Sequence, residues 1–77
     1  MLPEIFRPLL WSYDFEKCDP QKMKNIIITN SVNYGTLSHW RWIRSFYGNE
    51  LIKERLRQMP LSFRGSVYRL AEIFFSE

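Results

Sequence analysis

Helix start and stop signals divide this 77-residue chain into four short segments. Asp19 is a helix cap, and Pro20 follows it at the first helical position, where the missing N–H costs nothing. Gly35 and Gly48 end the next two segments, and Gly35 is predicted to take the left-handed conformation that terminates many helices. Pro60 prevents the third segment from continuing. The spacing therefore predicts short helices joined by tight links.

These helices are predicted to form an all-α fold, a compact bundle of four to five short helices in a single domain over residues 1–77. An N-terminal turn or short helix around Pro8 occupies residues 1–18, and residues 19–77 form a four-helix core. The four helices are predicted over residues 20–34, 36–47, 50–59 and 62–76, with caps at Asp19, Thr36, Asn49 and Ser62. The β-branched run at residues 26–29 is typical of a strand, but the signals on either side of it favour a helix.

Apolar residues repeat at helical spacing in each segment and predict its buried face. The predicted core consists of Met23, Ile27, Val32 and Tyr34 in the first helix, Leu37, Trp40, Ile43 and Tyr47 in the second, Leu51, Ile52, Leu56 and Met59 in the third, and Phe63, Val67, Leu70 and Phe74 in the last. Trp40 in particular is predicted to be largely buried, because a chain this short needs the area that a large ring covers.

A second apolar strip on the last helix consists of Tyr68, Ala71 and Phe75 and lies roughly 100° around the helix from the first. A domain of this size usually covers one such strip. Tyr68 and Phe75 are therefore predicted to be partly exposed and to bind a protein partner or a second copy in a homodimer. Trp42 also lies off the core stripe of its helix. It either packs on the N-terminal segment or is exposed and marks the partner site.

The basic residues are concentrated in the second half of the chain. Residues 36–70 hold seven Lys or Arg against two Glu, a net charge of +5. These are either the solvated faces of helices or a surface that attracts phosphate or an acidic partner. Arg41, Arg44, Arg64 and Arg69 are the candidate nucleic-acid contacts, the last two on a C-terminal helix that would serve as the recognition helix of a helix-turn-helix motif.

The sequence lacks the groups that catalysis or metal binding requires. There is one histidine, His39, and one cysteine, Cys18, on different segments. No spacing typical of a zinc site, a calcium loop or a phosphate-binding loop occurs. We therefore expect no enzyme activity, no cofactor and no metal. The apolar runs are too short to cross a membrane, and a lone cysteine indicates a reducing compartment, so the chain is predicted to be cytoplasmic.

Several short motifs resemble those of a small prokaryotic family of uncharacterised proteins. The matching stretches are residues 10–14, Asp19-Pro20, residues 27–28 with 32–35, residues 39–43, Tyr47-Gly48 with Ile52 and Leu56, and Leu61-Ser62. The sequence departs from that pattern where Thr36 replaces an acidic residue, where Asn30 replaces a basic one, and where Val67-Tyr68 stands for an aromatic pair.

Members of that family are often encoded beside nucleotidyltransferase-type toxins, so the resemblance implies an antitoxin-like or regulatory role. It carries over no catalytic residues. The leading hypothesis is a small helical module that binds a protein partner, such as a toxin of this type. The alternative is a DNA-binding transcriptional regulator that uses the C-terminal helix.

Overall fold

Four α-helices and three short 3₁₀ helices follow one another in the computed structural model, which describes residues 2–76; residues 1 and 77 of the predicted domain lie outside the described residues. The 3₁₀ helices are Glu4–Leu10, Phe15–Lys17 and Pro60–Ser62, and the α-helices are α1 (Lys24–Tyr34), α2 (Leu37–Tyr47), α3 (Asn49–Gln58) and α4 (Gly65–Phe74). No strand occurs in residues 2–76, and residues 26–29 are helical. The all-α prediction is confirmed.

Asp19 starts the first helical segment, as predicted, although regular helix begins only at Lys24. One Asp19 carboxylate oxygen accepts the Gln21 N–H at 2.9 Å, and the Asp19 carbonyl accepts the Met23 N–H at 2.9 Å. Residues 20–23 are therefore a hydrogen-bonded turn that leads into α1. The predicted start at residue 20 is four residues too early.

Gly35 is needed for space and not for a left-handed backbone, which corrects the prediction. Its φ is −86° and its ψ is 175°, an extended conformation open to any residue. A Cβ atom at Gly35 would lie 2.6 Å from the Ser31 carbonyl oxygen and 2.9 Å from the Cβ of His39. Gly48 is the glycine with positive φ, at 90°, and it has open space around it.

Alanine at each glycine should therefore affect stability differently. We expect Gly35→Ala to lower the free energy of unfolding by about 1–3 kcal/mol, because the new methyl group must displace a backbone carbonyl. Gly65→Ala is expected to raise it by about 0.4–1 kcal/mol, since Gly65 opens α4 with nothing nearby and alanine reduces the entropy of the unfolded chain. Urea denaturation of the two variants checks this order; an equal loss in both would contradict the role given to Gly35.

The last helix begins at Gly65, and Ser62 does not cap it, contrary to the prediction. Asn33 of α1 holds the link before α4 in a non-helical path. Its side-chain N–H donates to the Ser62 carbonyl at 2.9 Å, and its side-chain oxygen accepts the Arg64 N–H at 2.9 Å. Gly65 is consequently the first residue of α4, so it does not weaken a helix interior.

The buried apolar residues form one cluster around α1, which packs against the first 3₁₀ helix and the three other α-helices. The cluster draws residues from the N-terminal segment as well as from the four α-helices. Its fully buried members include Phe6, Leu10, Ile27, Ile28, Val32, Ile43, Ile52, Ala71 and Phe75. The branched side chains of α1 lie in a helix because burial on several sides outweighs their modest helix propensity.

Two polar contacts fasten the ends of the bundle. The Tyr47 hydroxyl donates to the Pro20 carbonyl at 2.7 Å, which ties the end of α2 to the turn before α1. Burial, reinforced by the charge of Asp19, raises the pKa of Tyr47 to about 12, so the hydroxyl keeps its proton. The Asn30 side-chain amide donates to the Leu9 carbonyl at 3.0 Å and anchors the N-terminal segment on α1.

Candidate functional site

The last helix faces the core with the strip that was predicted to be exposed. Helical periodicity alone does not determine which of the two strips is buried. Ala71 lies at the centre of the buried strip, and its small side chain lets α4 approach the other helices closely. Phe75 is fully buried and stacks on Trp40 with 5.5 Å between ring centroids. Tyr68 is half-buried, and its hydroxyl donates to the Leu56 carbonyl at 3.4 Å. The prediction that Phe75 is an exposed interface residue is wrong, and the core contacts of Tyr68 argue against an interface role for it as well.

The strip that was assigned to the core is only partly buried: Phe63 is buried, Val67 and Phe74 are half-buried, and Leu70 is exposed. Leu70 is 58% exposed and Ile73 is 72% exposed. Across from them, at the junction of α1 and α2, Tyr34 is 66% exposed and Leu37 is 56% exposed. The core assignments of Tyr34, Leu37 and Leu70 are therefore wrong, as is that of Met59, which is exposed in the link after α3.

These side chains border a groove of about 610 Å³ between α4 and the junction of α1 and α2. We call it the apolar groove. It is lined by Val32, Asn33, Tyr34, Gly35, Thr36, Leu37, Trp40, Arg64, Val67, Leu70, Ile73 and Phe74. A concave and mostly apolar pocket of this volume is typical of a site that binds another molecule.

Trp40 forms part of the groove wall and is otherwise buried, as predicted. It is 7% exposed, and its indole N–H donates to the Ser31 carbonyl at 2.8 Å. Its ring meets Phe74 edge to face at 5.4 Å. The wall beneath the exposed side chains is therefore held by a hydrogen bond and by ring packing, so the groove is preformed in the isolated chain.

Two arginines border the apolar groove: Arg64 lines it, and Arg44 covers the ring of the lining residue Phe74. The Arg64 guanidinium lies 5.9 Å from the centre of the Tyr34 ring and donates to the Asn33 carbonyl at 2.7 Å. At the other end of α4, the Arg44 guanidinium lies over the Phe74 ring at 4.5 Å. The structure thus places one of the four predicted basic residues, Arg64, in the lining of the groove and a second, Arg44, against the ring of the lining residue Phe74.

Arg41 and Arg69, the other two, are exposed beside the groove. Arg41 follows Leu37 by one helical turn, and Arg69 precedes Ile73 by one turn, so each shares a helix face with a groove residue. None of the acidic residues in the described part of the chain lines the groove. The groove therefore combines an apolar wall with a positively charged rim.

Trp42 packs on the N-terminal segment, which selects the first of its two predicted alternatives. It is half-buried, meets the Phe6 ring edge to face at 5.0 Å and stacks on Phe46 at 4.7 Å. Trp42 does not line the apolar groove. Its contacts bury it within the chain, so they argue against a place at the partner interface.

His39 has a structural role that its sequence position indicates. It is buried, and its Nδ1 accepts the Thr36 N–H at 2.9 Å, which closes the first turn of α2. Because an amide N–H can only donate, Nδ1 carries no proton, and Nε2 is the donor to the Ile5 carbonyl. The spacing of Thr36 and His39 is that of a capping box with histidine in the acceptor position.

Cys18, the single cysteine of the chain, is half-buried. Desolvation, together with the charge of Asp14, raises the pKa of the Cys18 thiol, which reduces the thiolate available as a nucleophile.

Residues 2–76 contain no group of three or more His, Cys, Asp or Glu placed to hold a metal ion. Within the same range, each helix falls short of the length and hydropathy that crossing a membrane demands.

One protein family matches the chain. It is described as a family of unknown function, DUF6922, and its match covers residues 5–56, which is 52 of the 77 residues. The matched range includes α1, α2 and most of α3, and so the groove wall that holds Leu37 and Trp40, whereas α4 lies beyond it. No curated protein and no solved structure is significantly similar to the chain.

Proposed function

The chain belongs to the DUF6922 family, whose function is unknown, and we propose that it is a non-catalytic interaction module whose apolar groove binds a protein partner. The observation that carries the proposal is the outward-facing strip of α4. Leu70 and Ile73 are more than half exposed and lie in the same groove as the exposed Tyr34 and Leu37. Exposing a contiguous apolar surface is costly unless a partner covers it.

The side chains of the groove favour a protein over a nucleic acid. Single-stranded bases stack on exposed aromatic faces. In this groove Trp40 is almost fully buried and Phe74 is half-buried, so Tyr34 is the exposed ring, and Leu37, Leu70 and Ile73 supply much of the remaining exposed surface. Aliphatic surface with a polar rim is instead typical of protein interfaces.

The same surface disfavours the alternative of a DNA-binding regulator. A recognition helix needs polar side chains that reach base edges. The first turn of α4 holds Gly65 and Ser66, and its outward strip is apolar.

We propose an antitoxin-like or regulatory role in the cytoplasm, with a nucleotidyltransferase-type toxin as the partner. This assignment depends on the family resemblance of the motifs, because the groove itself selects an apolar protein surface and not a particular enzyme. If a segment of the toxin is buried in the groove, this chain of 77 residues can act on a larger protein by binding alone and needs no catalytic group of its own.

Affinity capture from host cells tests the proposal. Wild-type chain should retain a nucleotidyltransferase that mass spectrometry identifies. The double variant Leu70→Ser with Ile73→Ser should lose that protein at least tenfold, because it removes exposed aliphatic contacts from the groove. Its thermal midpoint should stay within about 5 °C of wild type, since both side chains are largely exposed.

Leu61→Ser is the matched control, because Leu61 is 99% exposed and lies outside the apolar groove. It should retain the nucleotidyltransferase at the wild-type level. Capture that survives the double variant would contradict the groove as the binding site. Salt-dependent retention of DNA that Arg64→Ala and Arg69→Ala abolish, with no captured protein, would replace this function with the regulator.

A further inference from the structure

We propose that the groove takes an acidic amphipathic helix of the partner, with two carboxylate side chains about ten residues apart that meet Arg44 and Arg64. This inference rests on the proposed function and specifies the chemistry of the occupant. It follows from the length of the groove, the apolar chemistry of its wall and the positive charge of its rim.

The length comes from α4. Arg64 immediately precedes the helix, and the ring under Arg44 belongs to Phe74, its last residue. Ten helical residues rise about 15 Å, which is the distance along α4 from the Arg64 backbone to Phe74, the residue whose ring Arg44 covers. A partner helix of nearly three turns covers the same distance, which places its two carboxylates about ten residues apart.

The wall suits the apolar face of a helix. Leu70 and Ile73 project from one turn of α4, and Leu37 projects from the start of α2 opposite them. Apolar side chains at helical spacing on the partner can insert between these residues, which is the usual way a groove between helices binds a helical segment.

The rim determines the charge of the occupant. Arginine offers several N–H groups in one plane and pairs with a carboxylate through two parallel hydrogen bonds. Arg44 and Arg64 are positioned by the rings beneath them, so less side-chain freedom is lost when a carboxylate binds. The negative charge of Glu72 does not weaken the binding of a carboxylate at this rim, because Glu72 borders a separate, smaller pocket with Lys53 and Arg57.

A second copy of the chain is a poor occupant by the same reasoning. A symmetric pair of grooves would bring the arginines of both copies together, along with a segment 36–70 that carries +5 on each copy. Like charges at an interface oppose association. The charge of the groove therefore indicates a different, acidic chain.

Selection from a displayed library of amphipathic helices tests the inference. The apolar face is kept constant, and the residues on either side of it are randomised. Wild-type chain should enrich Asp and Glu about ten positions apart. The double variant Arg44→Gln with Arg64→Gln should lose that enrichment and bind a selected peptide about tenfold more weakly. Circular dichroism establishes that the variant remains folded.

The outcomes separate this inference from the proposed function. Peptides with neutral or basic flanks that still require Leu70 and Ile73 would overturn the acidic helix and leave the groove as a protein-binding site. An absence of groove-dependent peptides would overturn the inference, while capture of the nucleotidyltransferase would decide the proposed function. Sedimentation that reveals a dimer lost in the variant Leu70→Ser with Ile73→Ser would assign the groove to a second copy and overturn the inference.

Discussion

Replacing Trp40 by alanine is expected to lower the free energy of unfolding by about 3–5 kcal/mol. The side chain is 7% exposed and packs against both Phe74 and Phe75 of α4. Its removal leaves a cavity between α2 and α4 and takes away one of the two hydrogen bonds that the Ser31 carbonyl accepts. A domain of this kind has a total stability of about 5–15 kcal/mol, so the variant should be close to unfolding at room temperature. Urea denaturation followed by circular dichroism measures the loss.

Trp40→Phe separates the hydrogen bond from the packing. It keeps a ring and removes the indole N–H, so the loss should be smaller than in Trp40→Ala. The Ser31 carbonyl still accepts the Gly35 N–H at 2.9 Å, which limits the cost of the missing donor. A denaturation midpoint of Trp40→Ala equal to wild type would show that Trp40 does not support α4 and that the groove wall is not preformed.

The helical fold could be predicted because its signals are local. The signals at Asp19, Gly35, Gly48 and Pro60 act within a few residues of their own positions, so they mark the ends of helices without reference to distant parts of the chain. The predicted end of a helix is wrong where a residue distant in sequence binds the chain at that point. Asn33 binds the link at residues 62–64 from 29 to 31 positions away and delays α4 to Gly65.

The candidate site could be predicted only in part, because it depends on which strip of α4 faces inward. Both strips are apolar and both repeat at helical spacing, so periodicity identifies the pair and does not choose between them. The size of the central residue was the informative signal: Ala71 allows close packing, whereas Leu70 in the same position would hold the helices apart. Of the residues in the charge pattern, Arg64 lines the groove and Arg44 covers the ring of Phe74 in its wall, while the role of these arginines as contacts stays a prediction.

Phe6→Ala is expected to cost about 3–5 kcal/mol, an effect as large as that at Trp40, although Phe6 lies in the segment that precedes the four helices. Phe6 is fully buried and meets the rings of His39 and Trp42 edge to face at 4.9 and 5.0 Å. Its loss should weaken the contact of the His39 ring with the Ile5 carbonyl and so loosen the start of α2.

Trp11→Ala is the matched control in the same segment, because it removes a larger ring that is 83% exposed. It should change the free energy of unfolding by no more than about 0.5 kcal/mol. The contrast tests whether residues 2–18 unfold together with the helices, since a segment that merely rests on the surface could be released without changing the global midpoint. Equal midpoints for Phe6→Ala and Trp11→Ala would mean that the N-terminal segment opens independently. In that case α1 and α2 would be stable without it, and the buried position of Phe6 would reflect local docking.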